Sequence, residues 1–94
     1  MRELECGIIG KTNIKASEVG EVIYKSEWYD FDSKYSTNNE IFIPAKISKE
    51  TKKNIQDLSI ESCIALNINH FARVDFFLEK SSNNIFINEI NTLP

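Results

Sequence analysis

Arg73 and Asp75 stand two residues apart in the apolar run Phe71 to Leu78, and Glu89 and Asn91 stand two apart at the end of a second apolar run that starts at Ile85. Strand side chains alternate between faces, so each pair shares one side of its strand. A turn centred near Ser82 then sets Asp75 opposite Glu89 and Arg73 opposite Asn91 in an antiparallel hairpin. Two carboxylates directly across a pair of strands repel, by up to about 1 kcal/mol. A cation between them removes that cost. Two acids and an amide oxygen, without Cys or His, form a hard-oxygen set suited to Mg²⁺. Magnesium held this way commonly carries a phosphate, which would also give the Arg73 guanidinium a partner. The competing reading is a salt-bridged, solvated sheet face with no ligand.

The hairpin has further consequences for its neighbours. Phe71, Arg73, Asp75 and Phe77 are expected on one face, and Ala72, Val74, Phe76 and Leu78 on the other, which is wholly apolar and must pack on a helix. Strict alternation likewise puts Ile85, Ile87, Glu89 and Asn91 together. The covering helix is predicted from an N-cap at Ser48 to about Leu66 or Asn67, with Glu50 favourably placed in its first turn. Ile55, Leu58, Ala65 and Leu66 form its expected apolar stripe, with Ser59, Ser62 and Cys63 beside it and Ile60 and Ile64 opposite. Upstream, Arg2 to Ile9 alternates as a strand, residues 10–20 read as a connecting loop, and Glu21 to Lys25 as a second short strand. Trp28 to Ser36 follows neither period, and Asn38-Asn39 closes it with turn chemistry. Ile41-Phe42-Ile43 meets Pro44, which confines it to a sheet edge or a strand end. The fold class is therefore α+β, a mainly antiparallel sheet with one long helix packed on it.

Composition narrows the function classes. With 94 residues, 41% hydrophobic, 27% charged and few Gly or Pro, the chain is one globular unit at most. A formal charge of -3 offers no footprint for nucleic acid or an anionic membrane. No apolar run reaches the roughly 20 residues that span a bilayer, and no signal-peptide pattern opens the chain. Cys6 and Cys63 lack metal-ligand spacing and read as buried thiols of a reduced, cytoplasmic protein. His70 has no nucleophile elbow to serve and reads as a surface or loop residue.

Arg73-Val74-Asp75-Phe76-Phe77 followed by Ile87-Asn88-Glu89-Ile90-Asn91-Thr92-Leu93-Pro94 resembles the last metal-binding segment of the D-alanine–D-alanine ligases, ATP-grasp enzymes of peptidoglycan synthesis. Glu3-Leu4-Glu5 opening a strand, and Trp28-Tyr29-Asp30-Phe31 leading into Ser33-Lys34-Tyr35, fit in the same order. The resemblance covers residues 1–94 and implies the C-terminal half of an ATP-grasp domain. It further implies that Asp75, Glu89 and Asn91 hold two Mg²⁺ ions on the ATP phosphates, with Glu89 bridging. By the same resemblance Arg73 stabilises charge on an acyl phosphate, Lys34 reaches the phosphates and Tyr35 helps close the site. Glu3 would hold the ribose hydroxyls, and Phe77 would pack on adenine.

The implied reaction phosphorylates the carboxylate of one D-alanine and lets the amine of a second displace the phosphate, without a covalent protein nucleophile. The family's substrate-binding N-terminal domain, its adenine-gripping part and its segment beyond the terminal proline find no match here. The expectation is a fragment that is inactive alone, behind an added Met1. Its unprotected sheet edges predict self-association into a homo-oligomer. A D-Ala-D-Ser ligase of the vancomycin-resistance type, or another ATP-grasp carboxylate–amine ligase, satisfies the same motifs. A non-catalytic α+β interaction domain is the alternative from another class.

Overall fold

Leu4, Cys6 and Ile8 alternate with Glu3, Glu5 and Gly7, and that alternation decides where the first strand sits. The computed structural model describes residues 1–10, 13–23, 40–68 and 70–92. Among them are strands β1 (Arg2–Gly10), β2 (Lys15–Ile23) and β3 (Glu40–Phe42), helix α1 (Lys49–Ala65), and strands β4 (His70–Leu78) and β5 (Ile85–Thr92). The strands form one sheet in the order β3-β2-β1-β4-β5, and each neighbouring pair is antiparallel. β1 and β4 occupy the middle, and one face of each is buried. Leu4, Cys6 and Ile8 lie across from Phe76, Val74 and Ala72, and all six are core residues.

Helix α1 covers that face and starts as expected. Ser48 Oγ accepts the Thr51 N–H at 3.1 Å, which satisfies one of the donors a helix start leaves unpaired. At the other end Asn67 takes a left-handed conformation, φ 55°. The Asn67 and Ile68 N–H groups return to the carbonyls of Ile64 and Cys63, closing the helix in a Schellman arrangement. The buried line, however, is Thr51, Ile55, Ser59 and Cys63, while Ala65 and Leu66 are exposed and Leu58 and Ile60 are half-buried against the core. The reason is steric. Small side chains at three of these four positions, Thr51, Ser59 and Cys63, let the helix lie close on the sheet, and the buried Ser59 hydroxyl donates internally to the Ile55 carbonyl at 2.7 Å. Ile64 points away from the core.

The helix lies nearest β2 and β1. Lys52 pairs with Glu18 at 2.6 Å, and Gln56 Nε2 donates to the Ser17 carbonyl at 2.9 Å. Both tie α1 to a stretch expected to be loop. β2 in fact begins at Lys15, because pairing with β1 recruits a segment of low strand propensity, and Val19 completes the core. Ser17 supplies its own hydroxyl where the ladder is interrupted, accepting the Gly7 N–H at 2.8 Å. β3 is the short edge strand that Pro44 permits, and the Ile43–Pro44 peptide is cis. Cys6 and Cys63 are buried free thiols, as expected. His70 is exposed at the start of β4.

One further clamp closes the molecule near the helix start. Arg2 grips Glu21 with two hydrogen bonds, 2.8 and 2.7 Å, and donates a third to the Lys46 carbonyl at 2.9 Å. The Arg2 hydrogen bond holds the Glu21 carboxyl below its usual value. A depressed acid stabilises the fold above its unfolded pKa and loses that contribution as pH falls through the folded value. Glu21→Gln should therefore lower stability at neutral pH, with the difference from wild type vanishing in acid, as urea melts across pH 3–7 would record. Phe76, the largest fully buried side chain among the described residues, gives a pH-independent counterpart. Phe76→Ala should cost about 3–5 kcal/mol, read as a lower urea midpoint.

Candidate functional site

The face opposite α1 carries the chemistry. Pairing across β1, β4 and β5 sorts it into rows: Glu3, Phe77 and Phe86; then Glu5, Asp75 and Glu89; then Gly7, Arg73 and Asn91. Ile9 and Phe71 form a last, apolar pair on β1 and β4. Asp75 does lie opposite Glu89, and Arg73 opposite Asn91, as the turn position required.

Alternation in β5 fails in one place. Asp75 pairs with Glu89 but Phe76 pairs with Ile87, so Asn88 is an extra residue in β5. The bulge switches faces. Ile85 packs on the core, Ile87 faces the core-side Phe76, and Phe86 joins Phe77 on the site face. The expected grouping of Ile85 and Ile87 with Glu89 and Asn91 is thus corrected, because a single extra residue inverts the period-two pattern on one side of it. Phe86 was missed for the same reason.

Arg73 is the hub of the middle rows. Its Nε donates to Asp75 Oδ1 at 2.9 Å and its Nη2 to Asp75 Oδ2 at 3.2 Å. Asn91 Nδ2 donates to Asp75 Oδ2 at 3.2 Å from the neighbouring strand. Arg73 Nε also lies 3.5 Å from Glu5 Oε2. The hydrogen bond to Asp75, joined by the charges of Asp75, Glu5 and Glu89, raises the guanidinium's already high pKa. Burial pushes the Glu5 carboxyl up, with Arg73 opposing the rise and Asp75 adding to it. Glu5 was not among the expected site residues. Its signal was its parity with Glu3, but only the β1–β4 pairing sets it beside Asp75.

Glu3 and Phe77, expected at the nucleoside end, do meet in one row, and both are half-buried. At the opposite end a groove of about 440 Å³ runs past Gly7, Ile9, Gly20, Ile43, Phe71 and Arg73. Lys34 and Tyr35, with the whole Trp28 to Ser36 stretch, lie outside the described residues. Among the described residues no three His, Cys, Asp or Glu side chains cluster as metal ligands, so a cation here would rest on Asp75, Glu89 and the Asn91 amide. That donor set is all oxygen and fits a hard cation.

A family model described as the C-terminus of D-ala D-ala ligase matches residues 1–94. The chain belongs to this family. A D-alanine–D-alanine ligase of Prochlorococcus marinus is 63% identical over 94 residues, which are 100% of this chain and 26% of that protein. The VanG D-Ala:D-Ser ligase of Enterococcus faecalis superposes with a TM-score of 0.81 at 33% identity, covering 99% of this chain and 27% of the other. A D-alanine–D-alanine ligase of Bacillus anthracis, solved as a complex with ATP, gives 0.72 at 23% identity over 99% and 29%, a likeness of fold. The antiparallel sheet with one helix matches the C-terminal ATP-grasp domain of these D-Ala ligases. The chain spans about a quarter of the length of such relatives.

Among the described residues Arg73 is the cation held against Asp75 and Glu5, with Glu89 across from Asp75. Arg73→Met should destabilise the chain by about 1 kcal/mol at pH 7, a cross-strand electrostatic cost that shrinks by about pH 4 as the Glu5 carboxyl, pushed up by burial, takes up its proton. Paired urea melts of variant and wild type at the two pH values would test this.

Proposed function

We propose that this chain carries the Mg-ATP phosphate site of a D-alanine–D-alanine ligase. The observation that supports the reading is the row of Asp75 and Glu89 with Asn91 adjoining, all oxygen donors, beside a guanidinium on the same face. Family membership gives that row its context. In this reading Asp75, Glu89 and Asn91 would hold two Mg²⁺ ions. Bound magnesium would neutralise phosphate oxygens and favour transfer.

Arg73 would stabilise the negative charge of an acyl phosphate and of the tetrahedral species that follows. Glu3 would accept the ribose hydroxyls, Phe77 would pack on adenine, and Phe86 beside it would widen the apolar seat. Lys34 and Tyr35 would reach the phosphates and close the site. Across the whole enzyme, a carboxylate oxygen of one D-alanine takes the γ-phosphoryl group and releases ADP. The amine of the second then forms the amide bond and releases phosphate. The similarity to a D-Ala:D-Ser ligase supports a shared phosphate chemistry, and we assign the choice of second amine to parts of the enzyme outside these 94 residues.

Titrating Mg²⁺ and then Mg-ADP into isotope-labelled chain should shift the amides of Asp75, Glu89 and Asn91 saturably, and Asp75→Asn should abolish the shifts. A folded chain whose spectrum ignores both additions would defeat the metal assignment. We also propose that residues 1–94 form a partial ATP-grasp domain that does not turn over alone. With ATP, Mg²⁺ and D-alanine the chain should release no phosphate above background in a coupled assay.

A further inference from the structure

We propose that Glu5 is a positioning residue for Arg73, receiving the guanidinium when the Asp75 carboxylate is taken by a cation. This rests on the reading of Asp75 as a cation ligand. The Arg73 fork now occupies both Asp75 oxygens, at 2.9 and 3.2 Å. A cation entering between Asp75 and Glu89 draws on the lone pairs of the same carboxylate and so weakens the fork. The entering charge also repels the guanidinium. Asp75 and Glu89 lie on β4 and β5, so the push is directed away from β5 and toward β1.

Glu5 is the carboxylate waiting there. It faces Asp75 in register on β1, and its Oε2 is already 3.5 Å from the same Nε that donates to Asp75. A small rotation turns that approach into a charge-assisted hydrogen bond. The residue across from Arg73 on β1 is Gly7, which puts no side chain between them. The Glu5 side chain is 18% exposed, so water reaches it poorly and Arg73 is its available counter-charge on this face. The hand-over keeps Arg73 pinned on the site face, aimed at where a phosphate would sit, instead of releasing it to solvent.

The deciding readout is the Arg73 Nε–Hε resonance of the ¹⁵N-labelled 94-residue chain, assigned by its loss in Arg73→Lys. In Asp75→Asn, without metal, it should remain protected from solvent exchange, and adding Glu5→Gln should expose it. In wild type, Mg²⁺ alone should shift it while leaving it protected. In Glu5→Gln, Mg²⁺ should expose it and bind roughly two- to fivefold more weakly, the range expected for one partly exposed ion pair. Weaker binding alone could follow from the lost negative charge, which is why the resonance decides. Equal protection with and without the Glu5 carboxylate overturns the proposal. Site amides that ignore Mg²⁺, while Asp75→Asn still hands Arg73 to Glu5, overturn the metal reading and support the role of Glu5.

Discussion

Antiparallel register between β1 and β4 holds both faces of the molecule in their roles. Leu4 across from Phe76, Cys6 from Val74 and Ile8 from Ala72 are apolar pairs at the centre of the core. Because strand side chains alternate, the same register puts Glu3 beside Phe77, Glu5 beside Asp75 and Gly7 beside Arg73 on the reverse face. A one-residue slip of β4 would turn Arg73 and Asp75 into the core and expose Phe76. Burial of six apolar side chains thus fixes the relative position of the polar ones. Helix α1, anchored by Ser48 and tied to β2 through Lys52 and Gln56, seals the apolar side.

On the polar side the energetics run close to balance. Three carboxylates on three adjacent strands are mutually repulsive, and one arginine stands among them. Arg73 is about half exposed, whereas the Asp75 and Glu5 side chains are mostly covered. Such a cluster holds together but retains a demand for positive charge. That demand is the physical basis for reading it as a cation and phosphate site, and it agrees with membership of a ligase family. The apolar ends of the face, Phe77 with Phe86 and Phe71 with Ile9, bracket the charged rows.

The edges carry a different constraint. Among the described residues β3 and β5 are the outer strands of the sheet, and Ile41, Phe42, Phe86 and Ile87 are exposed along them. Pro44 and the Asn88 bulge interrupt regular strand geometry near both edges. Among the described residues no helix is long and apolar enough to cross a membrane.

The amino-acid sequence by itself determined the helix with its Ser48 cap, the β4–β5 hairpin, the opposition of Asp75 and Glu89, and the motifs by which the family is known. These follow from local signals: a capping residue, a turn-rich connection, a period of two on either side of it. Tertiary structure decided the rest. Lys15 to Gly20 becomes strand because β1 offers it a ladder, against its own weak propensity. The buried line of α1 runs through Thr51, Ser59 and Cys63 because close approach to the sheet favours small side chains over Ala65 and Leu66. Asn88 inverts one end of β5, since a bulge depends on the partner strand and leaves no mark in hydropathy. Glu5 joins the site only through its pairing with β4, a contact seventy residues distant in the chain that no local pattern encodes.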